Sequence, residues 1–510
     1  MAQVPFERVV HADETPSDWL TYSGNYAGQR FSRLSQLNRS NVNQLKLGWV
    51  YQAKSTSSFE TTPIIADGTM YITETYGVVK ALDARSGRLL WSYQPSKPKG
   101  EDLSVNPVNR GVALLDNTVY VGTAKTHLVA LDAKSGAVRW ETVVHPGTGY
   151  AMTSAPLAID HRIIVGVAGG DNGERGFVDA YDPQTGKRLW RTYTIPAAGE
   201  PGVETWANKS YETGGGPTWV TGSYDPVLHL LYWGVGNPAP IWNGTQRAGD
   251  NLYTNSLLAL DPKDGKVKWY FQFTPHDTHD WDSNHIPVLF DEMINGKMRK
   301  IVAVANRNGF YYVLDRETGE FLSGTPFVRQ NWADGLDAKG RPIFRPGSEP
   351  TKEGSLIYPG VGGAANWWSP SYSPQTKLFY LAAGERGTKF FLGDLKYQRG
   401  EAYLGGGVRH DDADKSYGAI RALESTTGKL KWEFKLFSPP LSGVLSTAGG
   451  LVFGGTQEGN FFALDAENGK PLWDVTLGEE MKTNPISFAV DGKQYVAATA
   501  GHALFVFKLP

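Results

Sequence analysis

An eleven-residue phrase recurs along this chain and limits its fold more than any other feature. It reads ALDARSGRLLW (81–91), ALDAKSGAVRW (130–140), AYDPQTGKRLW (180–190), ALDPKDGKVKW (259–269), ALESTTGKLKW (422–432) and ALDAENGKPLW (463–473), with a shorter form, VLDRETGEFL, at 313–322. Each copy predicts a strand, a tight turn with Gly at a positive-φ position, and a second strand closed by a large apolar residue. The Asp or Glu two residues after the opening residue can accept from the turn amides. Units this small cannot bury their faces alone, so they must stack on one another. A Trp once per unit points to an all-β fold, a β-propeller in which each Trp packs between neighbouring blades.

Length alone suggests several domains, but such a repeat lets one propeller absorb all 510 residues, 1–510. The segment LKLGWVY (45–51) supplies a further strand carrying Trp49, and the terminal QYVAATAGHALFVFKLP alternates like a strand pair. Pairing of the two ends would close the ring and remove an exposed sheet edge. The interval from Trp190 to Trp269 is 79 residues and that from Leu322 to Trp432 is 110, which calls for long loops or a degenerate unit. The segments 201–216, 238–251 and 332–365 read as those loops, and loops of such length are usually functional.

A net charge of −2 without a basic stripe argues against nucleic acid. No apolar run is long enough for a membrane span. Cysteine is absent, which excludes disulfides, thiolate metal sites and a c-type haem attached through Cys-x-x-Cys-His. The start, MAQVPFERVV, lacks the charged and apolar regions of a signal peptide. The chain is then either cytosolic or a mature form with an added initiator Met.

The densest polar cluster is TPHDTHDWDSNH (274–285), with Asp277, Asp280 and Asp282 among His276, His279 and His285. If 280–282 is extended, the carboxylates of Asp280 and Asp282 point the same way. Such a pair repels unless a cation or proton lies between, and a hard cation with oxygen ligands suits it. The alternative is a loop whose carboxylates bond backbone amides and water. The histidines lack the His-Glu-x-x-His spacing of a zinc site.

In this region the chain resembles the pyrroloquinoline quinone (PQQ) dependent alcohol dehydrogenases, the methanol/ethanol dehydrogenase family of eight-bladed propellers. The likeness runs over nearly the full length. It is carried by DWLTYSGNYAGQRFSRLSQLN (18–38), FETTP, VNRGVA, MTSAP, GGDNGERG, GGGPTW, GNPAPIWN, TPHDTHDWD, NRNG, ANWW and SGVLSTAGGLVFGG, in that order. The resemblance implies PQQ bound over Trp219 as an aromatic floor, with Arg110 and Thr153 donating to its carboxylates and Glu60 sharing a proton at its edge. It implies Arg307 and Asn366 at the quinone oxygens, where negative charge builds on reduction. Asp280 is implied as the base that takes the alcohol proton, and Asp171, Asn237 and Asp280 as metal ligands. Asp171 stands where the family usually has Glu. Asp282 stands where calcium-type members carry a small residue and lanthanide-type members carry Asp, so a lanthanide ion is implied, with calcium the alternative. Ser104 and Val105 occupy the places of two adjacent cysteines found in many members.

The implied activity is oxidation of alcohols to aldehydes in the periplasm, with electrons passed to a separate cytochrome c. Two rivals remain open. One is a cofactor-free propeller scaffold, which would have no reason to keep Glu60, Arg110, Thr153, Trp219, Asn237, Asp280, Arg307 and Asn366 together. The other is a quinoprotein acting on sugars or polyols.

Overall fold

The structure, a computed structural model, describes residues 3–54, 59–96, 107–411 and 415–510. Ser104 and Val105 lie outside the described residues. Among the described residues, eight sheets of four or five strands follow one another along the chain, antiparallel except for one edge strand. The first is built from Ile64–Ala66, Thr69–Glu74, Val78–Asp83 and Leu89–Tyr93. Its inner strands are almost wholly buried and its fourth strand faces solvent, as expected for stacked sheets. In each repeated phrase the second strand carries one extra residue just before its eleventh position, for example Leu90, where the register shifts between Ala81–Trp91 and Leu82–Leu89.

The ends of the chain share sheets with distant partners. Lys46–Gln52 pairs antiparallel with Ala503–Lys508 in the last sheet. Phe31–Ser32 adds a parallel edge to Leu445–Thr447. Two hydrogen-bonded seams therefore tie the first fifty or so residues to the last seventy.

Five tryptophans on outer strands each bridge from one sheet to another. Trp49 in the last sheet donates through Nε1 to Ala84 O in the first (3.2 Å), Trp91 to Ala133 O (3.0 Å) and Trp140 to Pro183 O (3.0 Å). Trp190 donates to Pro262 O (2.9 Å) and Trp432 to Ala466 O (3.1 Å). Each indole lies flat on the glycine of the next turn. A Cβ at Gly87 would collide with Trp49, which gives that glycine a steric reason beside its φ of 73°. In the unit of 313–322 the Trp position falls on Ser323, which pairs with Val313 as Trp91 pairs with Ala81, and Leu322 sits in the register shift. There Tyr311 takes over, packing on Gly428 and donating its hydroxyl to Ser425 O at 2.7 Å.

The segment 332–365 is not the plain loop its composition suggests. It contains a hairpin, Ala333–Leu336 with Pro342–Phe344, and the strand Ser355–Ile357, which joins Thr388–Leu392 and Gly406–Arg409 in a small sheet. Trp332 anchors the insert; it is fully buried and donates to Asn308 O (2.8 Å), and Leu336 and Phe344 pack on the same core. Segment 201–216 is wound into the short turns Val203–Thr205 and Ala207–Thr213, held by Trp206 donating to Leu252 O. Segment 238–251 holds one turn, Gly244–Gln246.

Candidate active site

The sheets surround a cavity of about 500 Å³, and its walls bring together residues more than 300 positions apart in sequence. Glu60, Arg110, Thr153, Asp171, Trp219, Asp280, Asp282, Arg307 and Asn366 all line it. Asn237 is fully buried beside them, its Nδ2 donating to Pro238 O at 3.3 Å.

At one side Arg110 and Glu60 form a buried ion pair of 2.7 Å. The guanidinium carbon of Arg110 lies 4.9 Å from the Trp219 ring and 4.7 Å from the Trp367 ring. Arg110 keeps Nε and Nη1 without a hydrogen-bond partner although both are buried. Unpaired buried donors of a cation are costly, so a ligand with anionic oxygens has a place waiting here. Thr153 is more weakly engaged, its hydroxyl 3.5 Å from Trp219 O. Asn366 is turned on its own loop, donating to Gly362 O and accepting from the Trp367 amide.

At the other side Arg307 reaches Asp282 through Nη1 (3.1 Å), and Asp280 (3.2 Å) and Val361 O (2.7 Å) through Nη2. Asp280 has φ of 64°, so the segment 280–282 is not extended. The left-handed turn, rather than strand alternation, brings the two carboxylates to one guanidinium. Asp282 accepts the Asn237 amide on Oδ1 (2.6 Å) and the Trp219 indole on Oδ2 (2.9 Å). A Cβ at Gly236 would strike Asp282 Oδ1, so glycine there permits the approach.

These carboxyls are held against their charge. Asp171 is open to the cavity rather than packed in protein, yet the surrounding walls desolvate it and push its carboxyl up to about 6, with the Asp282 charge adding to it and Asn237 and Arg307 opposing it. Burial raises Asp280 well above the usual range; Arg307 counters this, while Asp171 and Asp282 add to it. Burial also raises Asp282. His285, fully enclosed beside Arg307, is pulled down to about 3 by burial and stays neutral.

Among the described residues, no three His, Asp or Glu side chains converge closely enough to ligate one ion unaided. The donor set nonetheless suits a hard cation: Asn237 Oδ1 is buried without a hydrogen-bond partner, and repelling carboxylates stand around it. The sequence motifs did not single out Trp367, the second indole beside Arg110. Its only signal was its place next to Asn366 in ANWW.

Residues 19–330 and 435–496 match the family model described as PQQ: glucose/ethanol/alcohol dehydrogenase, beta-propeller domain. The chain is 38% identical to the quinoprotein alcohol dehydrogenase PedH of Pseudomonas putida over 529 residues, covering 98% of this chain and 89% of that protein. It is also 38% identical to the quinohemoprotein alcohol dehydrogenase of Comamonas testosteroni, over 96% of this chain and 73% of the relative. The crystal structure of the Comamonas testosteroni enzyme superposes with a TM-score of 0.95 at 33% identity, covering 99% of this chain and 82% of the other. A europium-containing methanol dehydrogenase superposes with a TM-score of 0.92 at 32% identity, covering 99% and 100%. An all-β propeller that matches this model and these enzymes over nearly its whole length belongs to the PQQ-dependent quinoprotein alcohol dehydrogenase family.

Proposed function

We propose that this chain, one eight-bladed propeller domain with Trp-docked blades, oxidises alcohols to aldehydes in the central cavity with PQQ and a metal ion. The observation that carries the reading is the pairing of two unlike halves in one cavity: a buried Arg110 with unpaired donors between two indoles, and two raised carboxyls held by Arg307. Bound PQQ supplies an ortho-quinone that accepts hydride from the alcohol carbon, and the metal supplies Lewis acidity at that quinone.

The chain supplies the rest. Trp219 and Trp367 offer flat faces for a planar ring, and Arg110, Glu60 and Thr153 fix its carboxylate edge. Arg307 and Asn366 face the quinone edge, where Arg307 stabilises developing negative charge. An Asp280 oxygen accepts the alcohol hydroxyl proton, and Arg307 at 3.2 Å holds that carboxylate in place. Asp171, Asn237 and Asp280 hold the metal. Asp282 supplies a third carboxylate beside Asp171 and Asp280, which favours a trivalent lanthanide on charge balance. Calcium is the second reading, favoured by the protein donors that already meet both Asp282 oxygens.

Electrons leave to an external acceptor such as a cytochrome c, and the setting is periplasmic. Among the described residues no helix is long and apolar enough to cross a membrane.

The test is dye reduction by the purified chain with a primary alcohol, together with absorbance titration of PQQ. Activity should require both PQQ and metal. Equal activity with NAD and no PQQ would overturn the reading.

A further inference from the structure

The sequence sets three aspartates in six residues, Asp277, Asp280 and Asp282, and nothing in their spacing tells which serve as ligands. The structure separates them. Asp280 and Asp282 line the cavity, whereas Asp277 is 1% exposed and is not part of its wall. Both Asp277 oxygens are committed to backbone: Oδ1 accepts the His279 amide and Oδ2 the Trp281 amide, each at 2.9 Å. Those two amides flank Asp280. They fix the turn in which Asp280 takes its φ of 64° and in which Asp280 and Asp282 meet Arg307.

Asp277 is in turn held by Arg247, which is fully buried. Its Nη2 donates to Asp277 O and to Ile241 O, its Nε to Pro240 O (3.1 Å) and its Nη1 to Asn251 Oδ1 (2.8 Å). One guanidinium thus binds the loop that begins at Asn237 to the loop that carries Asp280. No carboxylate forms a salt bridge with it among the described residues. A planar fork with five donors can span four acceptors on two loops; a lysine ammonium cannot.

We propose that Asp277 and Arg247 are positioning residues of the metal site: Asp277 shapes the turn that aims Asp280 and Asp282, and Arg247 sets the spacing between that turn and the Asn237 loop. Neither touches the ion. The inference rests on the metal reading proposed above. Outer partners of this kind commonly govern metal affinity by about 10–100-fold.

The test uses the full chain loaded with PQQ and terbium as the probe ion. Calorimetric titration gives its Kd, and luminescence lifetimes in H₂O and D₂O count its bound waters. Asp277→Asn keeps the shape but turns one acceptor into a donor, which leaves one of the two amides unpaired. We expect terbium to bind about 10–100-fold more weakly, with the same number of bound waters. At saturating metal, kcat should fall while the alcohol KM holds. A Kd within about two-fold of the parent overturns the proposal, and so does a gain of one bound water, which would make Asp277 a direct ligand. If Asp277→Asn does not fold, Arg247→Lys is judged by the same two readouts. Failure of the unaltered chain to bind terbium is a different result: it removes the metal reading itself.

Discussion

Asp132 and Asp171 are the same residue type in two regions of the molecule, and their acidities move in opposite directions. Asp132 belongs to a rim turn. Its Oδ1 accepts from the Lys134 and Ser135 amides and the Ser135 hydroxyl, and its Oδ2 pairs with Arg139 at 2.8 Å. The Arg139 bond, with help from Ser135, holds its carboxyl down at about 2. Asp171 opens into the cavity, where desolvation by the surrounding walls and the Asp282 charge push it up to about 6. Rim turns spend every acceptor locally and gain stability. The cavity gathers charge that the fold does not satisfy by itself, which is what a site for a charged cofactor and a cation requires. The two regions should therefore respond to mutation in opposite ways: loss of activity without loss of stability in the cavity, and the reverse at the rim.

The largest expected effect is in the cavity. Asp280→Ala removes the proposed base and a metal ligand together, so kcat should fall by about three orders of magnitude or more. It also removes a partly buried carboxyl crowded by Asp171 and Asp282, so the melting temperature of the metal-free chain should hold or rise. Near-normal turnover with metal bound would break the assignment of Asp280. At the rim, Trp140→Ala should do the reverse. The indole lies on Gly186 and donates to Pro183 O, and truncation should cost about 3 kcal/mol in chemical denaturation. At a temperature where the variant stays folded, kcat should match the parent. A large loss of kcat there would mean that rim and cavity are coupled more tightly than this division allows.

The next effect, smaller again, lies where the regions differ most in charge. Asp282→Ala takes away the third carboxylate, and also the partner of the Trp219 indole and the Asn237 amide. Lanthanum affinity should drop by about 10–100-fold and calcium affinity by less, so that any preference for the trivalent ion disappears. Titration with lanthanum, lutetium and calcium measures this. Full activity of the parent with calcium and none with lanthanum would leave Asp282 as a loop-bonding residue in a calcium-type site.

The rim was far more legible than the cavity. A turn is written in adjacent residues, so the Asp and Gly of ALDAKSG announce their amide bonds and positive φ without any tertiary information. The Trp at the end of each phrase likewise announces a neighbour to pack on. One unit escaped this reading, because its Trp position holds Ser323 and Tyr311, on an inner strand, does the packing instead. The cavity depends on convergence. Glu60 and Arg110, fifty residues apart, and Trp367, a further 257 residues on, meet only after the sheets stack. Their roles came from motif resemblance rather than spacing. The left-handed turn at Asp280 was not legible: the Asp277 bonds to the amides on either side of it, and the Arg247 bond to Asp277 O, become visible only in the folded chain. The folded insert at 333–357 was hidden by its Gly- and Pro-rich composition, although Trp332, Leu336 and Phe344 carry its packing.

The smallest effect isolates charge at the rim. Asp132→Asn keeps an oxygen for the Lys134 and Ser135 amides but gives up the ion pair with Arg139. That pair is about one-third exposed, so solvent screens it and its loss should cost only about 0.5 kcal/mol at neutral pH. The pH dependence gives the sign. The folded carboxyl titrates near 2 against an ordinary value of 3.8, so its contribution is fully present above about 4 and is lost as pH falls toward 2. Denaturation curves for parent and variant should differ at pH 7, draw together as pH falls from about 4 toward 2, and differ less at high salt at every pH. A gap that widens on acidification would mean that Asp132 is held against its charge as Asp171 is, and the contrast between rim and cavity would fail at the residue that defines it.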